Sequence, residues 1–421
     1  MPNPAQPAEP AASGHPNPAQ PAEPAASGLG SRYGRCMATA APPAPTGPAH
    51  VAVVSFLAAR AAPTGGFWIA LAGGVALARV AERRGARLGF GASIAAMLET
   101  VAIIGPARVG IPLTQAVSAP MLGRLEARGV AAWLQVLGCA AVRLVHNTVT
   151  TAFFIWVIAG GLDAYAGTYD ALGRRLGLDV GTADALALTV AGLLAWAAFA
   201  SVVQVLVYRR GLRDWDELEE AAAPPADREG NVDRVIGGKG STREGRRRWN
   251  PWLVTVGAVV GFTALLASTA WVVLGAVAAC LGAAWLLAPT DREPVATGLV
   301  FAAILAGGAL VFGLGGGLGA EEALRRASRA ALLVLVATWM RAAAGSEGLR
   351  AVFHGVLARL RRVPAMPEAT RVLDRIDSER RLAAAARSVV DDVSGTPLRP
   401  LPFLDALLGW VVRESLRRDA R

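Results

Sequence analysis

Lysine is almost missing from this 421-residue chain. Lys239 is the only one, so arginine carries nearly all the positive side of a net charge of +10. Cysteine is scarce as well: Cys36, Cys139 and Cys280 form no CxxC pair and no Cys/His cluster. That excludes a disulfide framework and a structural zinc site. The basic balance has no nucleic-acid motif and no aromatic–basic platform beside it, so it does not argue for nucleic-acid binding. Nothing at the start of the chain has the basic lead and apolar core of a secretory signal. No metal, cofactor or catalytic residue is assigned from the sequence.

Long apolar runs are what the chain has in abundance. Its composition is 53% hydrophobic, and its mean hydropathy is +0.41. A soluble domain of this length needs more polar cover than that. Trp252–Ala288 holds 37 residues without one charged side chain. Since about 18 apolar residues suffice for one crossing, this run predicts two short spans with a turn at Ser268-Thr269. Val295–Gly317 and Ala185–Tyr208 are further runs of spanning length. Ala61–Val80 is the expected first span, Phe90–Gly105 follows it, and Val109–Leu122 is a short partner broken by Pro112 and Pro120. Val130–Leu162 is too long for one straight crossing, and its first part is expected to lie at the interface. Only helices or closed barrels satisfy their backbone in lipid. The expected fold is therefore all-α: a polytopic membrane protein with about eight or nine membrane segments in two halves, ending in cytoplasmic amphipathic helices.

The organisation follows from composition. Residues 1–49 are Pro/Ala-rich, and Pro2–Gly14 recurs identically as Pro16–Gly28, which predicts a disordered tail. Met37 is an alternative start. Residues 50–210 form the N-terminal membrane half, 211–251 a charged cytoplasmic linker, and 252–343 the second half. Gly237–Thr242 (GGKGST) lacks the spacing of a phosphate loop, and Gly313–Gly319 (GLGGGLG) lacks a surrounding strand–helix unit, so neither is a nucleotide site. Residues 344–421 are Arg-rich. Leu349, Val352, Phe353, Val356, Leu357 and Leu360 make one apolar stripe of helical period, a second helix opens at Pro367, and a third covers Phe403–Leu416. Arginine clusters at 83–87, 209–213, 246–248 and 359–362 are expected to face the cytoplasm of a cell membrane, as is the C-terminus.

Ionisable groups inside apolar runs are costly and so are candidates for function. Here they are Glu99, Arg108, Arg143 and His146. Glu99 reads either as a proton or cation site, or as a structural partner of Arg108 or Arg143. His146 reads as a proton shuttle or a buried, hydrogen-bonded histidine. A membrane-embedded enzyme would use Glu99 and His146, with Ser93, Thr148 or Thr150 available as a nucleophile but none picked out by spacing.

Short apolar spans followed by Arg-bearing amphipathic helices, over roughly 250–421, form a layout that resembles the transmembrane T component of energy-coupling factor transporters. Its Ala-Arg-Gly signatures are matched by Ala386-Arg387-Ser388 and Ala358-Arg359-Leu360, without the glycine in either; a full Ala127-Arg128-Gly129 stands in the first half. The resemblance implies a non-enzymatic component that couples an ABC-type ATPase to other membrane subunits, with Arg387 and Arg359 at the docking helices. A structural membrane protein without turnover is the third reading.

Overall fold

The computed structural model describes residues 45–62, 65–106, 111–178, 180–222, 249–287, 292–394 and 399–419. Among them there is no strand, and the fold is all-α. Arg108, residues 1–44 of the tail and residues 223–248 of the linker lie outside the described residues, with Arg246–Arg248 and Gly237–Thr242 among them.

A closely packed bundle forms the first part of the core. It joins α1 (Thr46–Ala61), α2 (Gly66–Arg84), α3 (Ala86–Ile104) and α4 (Ile111–Ala127) to α13 (Met366–Arg375), α14 (Glu379–Ser394) and α15 (Pro400–Asp419). The reason lies in α1. Its apolar residues occupy every face, and a helix that is apolar all round must be buried on all sides. Every residue from Gly47 to Ala58 is buried, and α2, α3, α14 and α15 supply the cover. The amphipathic helices at the C-terminus therefore do not form a separate layer. Leu373, Leu382, Phe403, Leu407 and Val411 share one hydrophobic cluster with Val53, Phe56, Leu71 and Leu77. Helix α1 begins four residues before the expected end of the tail. The linker also starts later than expected: α7 (Thr182–Arg213) and α8 (Trp215–Ala222) are helical, and Leu212 and Trp215 are buried in the same cluster.

The second part of the core is built by α9 (Pro251–Ala267), α10 (Trp271–Leu287), α11 (Arg292–Gly315) and α12 (Ala320–Arg359). Asn250 caps α9 by accepting from the Trp252 amide at 3.0 Å, with Pro251 at the first turn where its missing N–H costs nothing. The break between α9 and α10 falls at residues 268–270, where the sequence places the turn. Helix α12 carries the first amphipathic stripe, Leu349–Leu360, on the end of a longer helix of 40 residues, bent at Gly345.

The two parts differ in surface. On α5 (Ala132–Phe153), α7, α9, α10 and α11, large apolar side chains face outward: Val145, Val149, Phe199, Leu206, Val260, Val272, Leu286 and Ile304 are all more than half exposed. Between α1 and α3, no large apolar side chain is exposed among the described residues. Among the described residues, five helices are long and apolar enough to cross a membrane: α3, α5 with its π-helical continuation Phe154–Ala159, α7, α11 and α12; α9 and α10 are shorter apolar helices. Helix α5 and its continuation run through most of the expected segment Val130–Leu162, with Trp133, Leu137, Val145, Val149 and Phe153 exposed along one apolar face.

Glycine sets how close α2 can come. The Tyr208 hydroxyl of α7 and Gln115 of α4 lie over Gly74, where a Cβ would overlap the hydroxyl, and at Gly123 a Cβ would overlap the Ala78 carbonyl. Overpacking of this kind costs about 1–3 kcal/mol. Gly74→Ala is therefore expected to lower the melting temperature of the detergent-purified protein, while Gly275→Ala, which meets nothing, leaves it unchanged. Equal melting temperatures for Gly74→Ala and the parent would contradict this packing.

Candidate functional site: an ionic joint and an arginine-rich end

The bend in α12 organises the polar interior. Gly345 has φ 71°, a conformation that glycine reaches without a Cβ penalty. Arginines flank it on both sides, and both reach α3. Arg341 donates through Nε to the Ile103 carbonyl at 2.7 Å, satisfying one of the carbonyls left open at a helix end. Arg350 donates through Nε to Glu99 at 2.8 Å and through Nη2 to the other carboxylate oxygen. Glu99 is only 1% exposed, so its charge needs this bidentate partner. The partner expected from the sequence was Arg108 or Arg143. Arg143 is instead held on α7, and Arg108 lies outside the described residues.

The joint extends to the C-terminal helices. Arg341 also donates to Glu379 at 2.5 Å, and the Ser346 hydroxyl donates to the same carboxylate. Arg350 donates to the Asp377 carbonyl at 3.0 Å. The Asp377 carboxylate takes Arg418 of α15 and Arg381 of α14, with His50 of α1 at 3.8 Å. Glu414 takes Arg418 Nε at 3.0 Å. Arg417 also takes Glu414 at 3.0 Å, so five arginines meet four carboxylates where α1, α3, α12, α14 and α15 converge. The expected single helix 367–393 is interrupted at residues 376–378, which frees Asp377 to enter this cluster.

A second set of ion pairs gathers helix ends. Asp216 of α8 takes Arg79 and Arg83 of α2, Glu368 of α13 takes Arg87 at 2.8 Å, and Asp419 of α15 takes Arg84 at 3.8 Å. Asp405 of α15 takes Arg210 at 2.9 Å, and Glu126 takes Arg209 at 3.1 Å. The arginine clusters at 83–87 and 209–213 therefore share one end of the bundle with α8, α13 and α15.

Of the two docking residues implied by the resemblance, Arg387 is exposed on α14 and makes no ion pair among the described residues. Arg359 is exposed at the end of α12, and its guanidinium stacks on Trp252, 5.0 Å from the ring centre.

The remaining intramembrane candidates fall elsewhere. Arg143 of α5 is 5% exposed and donates through Nη2 to Gln204 Oε1 at 2.7 Å. Gln204 in turn donates to Gln115 Oε1 at 2.9 Å and to the Ser118 hydroxyl at 2.8 Å, and the Tyr208 hydroxyl donates to Gln115 Oε1 at 2.5 Å. His146 is partly buried one turn along α5. No hydrogen bond or ion pair joins it to Glu99, whose carboxylate is committed to Arg350. Cys139 is buried and Cys280 exposed, both as free thiols. Tyr165, on α6 (Leu162–Arg175) outside the apolar helices, donates or accepts at Thr189 at 2.7 Å, and burial pushes its hydroxyl above the usual phenol range.

Sequence reasoning missed Arg341, Arg350, Asp377, Glu379, Gln115 and Gln204. Gln115 and Gln204 were visible as single amides in apolar runs. Arg350 stands in the Arg-rich amphipathic stretch 344–421, and Arg341 just before it, with no local pattern that sets either apart.

The chain matches no protein-family model, no curated protein and no solved structure.

Removing one partner of a buried pair strands the other, at a cost of about 3–5 kcal/mol, whereas replacing both with apolar groups is often neutral. Arg350→Ala is expected to destabilise the protein strongly, and Glu99→Leu with Arg350→Leu to recover most of the loss. Thermal unfolding of the three proteins in one detergent checks this. A double variant as unstable as Arg350→Ala would mean that the cluster does not act through Glu99.

Proposed function

We propose that this chain is a multi-pass protein of the cell membrane, with its arginine-rich end in the cytoplasm, and that it works as a non-enzymatic, transport-associated coupling component. The observation that carries the reading is the division of the surface. The outward apolar faces of α5, α7, α9, α10 and α11 suit lipid. The amphipathic helices α13 to α15, with α8, gather at an end rich in arginine, as the positive-inside rule expects of a cytoplasmic side. Helix α12 connects the two regions, packing on α9, α11 and α13. The ionic joint at Gly345 ties that helix to α3, α14 and α15. A displacement of the C-terminal helices would then pass into the apolar helices as a rigid-body movement rather than be absorbed at a loose hinge.

A coupling component of this kind needs an exposed contact on its cytoplasmic helices. Arg387 supplies one: it is exposed, uncommitted among the described residues, and set on a helix whose other face is buried. A charge-assisted hydrogen bond from it to a partner carboxylate is worth about 1.5–3 kcal/mol. The likeness to the T component of energy-coupling factor transporters names the partner class, an ABC-type ATPase. Arg359 contributes less cleanly, because its stacking on Trp252 contributes about 0.5–1 kcal/mol to the fold itself.

Two experiments test the reading. In intact cells, cysteines introduced at Arg87, Arg213 and Arg361 are expected to resist a membrane-impermeant thiol reagent until the cells are opened; labelling of any two from outside would overturn the orientation. Affinity purification from the native host is expected to recover an ATPase with the parent protein, and none with Arg387→Ala at equal membrane abundance. Recovery of no ATPase with the parent protein would remove the coupling role.

A further inference from the structure

We propose that the seam between α5 and α7 binds an oxyanion, the phosphate or carboxylate head of an amphiphile, with Arg143 as its counter-charge. The proposal starts from a charge without a partner. Arg143 is 5% exposed, and among the described residues no carboxylate pairs with it; its one hydrogen bond is to a neutral amide. A buried guanidinium inside an apolar helix is costly unless an anion accompanies it. In the Glu99–Arg350 cluster every arginine meets a carboxylate, and buried Arg329 donates to two backbone carbonyls, of Leu265 at 2.6 Å and Leu266 at 2.9 Å; Arg143 has only the one amide oxygen.

The surrounding groups are short of acceptors. Arg143 Nε, Gln115 Nε2 and Asn147 Nδ2 are buried donors without an acceptor, and the Ser201 hydroxyl has no partner either. The Gln115 carbonyl oxygen is already shared by Gln204 and Tyr208. Buried donors are normally satisfied, and the ligand chemistry that would satisfy these is rich in acceptors and negatively charged. The Nε edge of Arg143, next to an Nη, presents the fork that recognises phosphate and carboxylate.

Helical spacing leads from this charge to an opening. Arg143, Asn147, Thr150 and Phe154 stand at i, i+4, i+7 and i+11, on one stripe of α5 and its π-helical continuation. Gln204, Ala197 and Leu193 make the matching stripe on α7. A groove of about 450 Å³ lies on this same seam, lined by Thr150, Thr151, Phe154, Tyr165, Thr189 and Leu193. Thr150 and Thr151 are roughly 10 Å along the helix from Arg143, two turns at 1.5 Å per residue, with Asn147 between. The flanks of the groove are apolar and outward-facing: Val149, Phe153, Leu194 and Phe199 are exposed. A polar lane that ends on a buried cation, between apolar walls, fits an anionic head with an apolar tail. The tail component rests on the membrane reading above; the anion component does not.

The test uses the full chain purified in a neutral detergent, with thermal unfolding followed by tryptophan fluorescence. Three additions are compared: phosphatidylglycerol, phosphatidylcholine and inorganic phosphate. Phosphatidylglycerol is expected to raise the melting temperature saturably and phosphatidylcholine not to. A rise with inorganic phosphate as well identifies a free anion as sufficient; a rise with phosphatidylglycerol alone identifies a lipid head. Arg143→Gln is expected to weaken the effective anion by about tenfold or more, as loss of a charge-assisted fork implies. If Arg143→Gln does not fold, Asn147→Leu and Thr150→Trp, which remove a donor and fill the lane, are expected to give the same loss. The proposal is overturned if neither anion shifts the parent protein, if phosphatidylcholine acts equally, or if the shift survives in Arg143→Gln or, where that protein does not fold, in both other variants.

Discussion

The rest of the architecture depends on one buried carboxylate. Glu99 sits in the middle of an apolar helix, where an ionised group without a partner would not be tolerated. Among the described residues Arg350 is its ion-pair partner, and it stands five residues past the bend of α12 at Gly345. Arg341 reaches the end of α3 and Glu379, and so seats the start of α14. Asp377 then collects arginines from α14 and α15. A chain of electrostatic necessity thus runs from α3 to the far C-terminus. It explains why helices with strongly polar faces pack against α1 and α2, whose central residues are buried throughout, rather than standing apart in water.

Packing and charge divide the labour in this fold. Around α1 the contacts are close and the side chains small; alanines and glycines let helices approach until carbonyls and side chains touch, as at Gly74 and Gly123. That supplies dispersion but no register. Register comes from the ion pairs, which are directional and few. At the outer helices the balance is reversed. Helices α9 to α11 expose rows of valine and leucine and make their inner contacts through a thin line of residues such as Val254, Ala258 and Leu265. A thin inner line with an apolar exterior needs a surrounding solvent as apolar as itself, which is the physical content of the membrane assignment.

Much of this was legible in the residues. The all-α class followed from run length, the α9–α10 turn from Ser268-Thr269, the start of α13 from Pro367, and the importance of Glu99 and Arg143 from their placement in apolar runs. What was not legible was pairing. Arg350 is 251 positions from Glu99, and no local pattern distinguishes it from the other arginines of an amphipathic stretch. Its neighbour Gly345 was the available signal: a glycine between Ala344 and Ser346 in a helix-forming segment marks a bend. The role of α1 was hidden for a different reason. Thr46–Ala61 follows a Pro/Ala tract with similar composition, and only tertiary cover from α14 and α15 separates a core helix from a tail. Asp377 was invisible because a helix period continues through 376–378 even though the helix does not.

The central claim is that the C-terminal helices and the start of the chain form one core with α3. Hydrogen exchange on the intact protein in lipid nanodiscs measures this directly. The account predicts that amides of α1, together with those facing it on α14 and α15, exchange as slowly as the amides of α3. Rapid exchange throughout α1 and α15, with α3 and α11 still protected, would contradict it: the C-terminal helices would then stand apart from the membrane helices, and the ionic joint would not be what holds the molecule together.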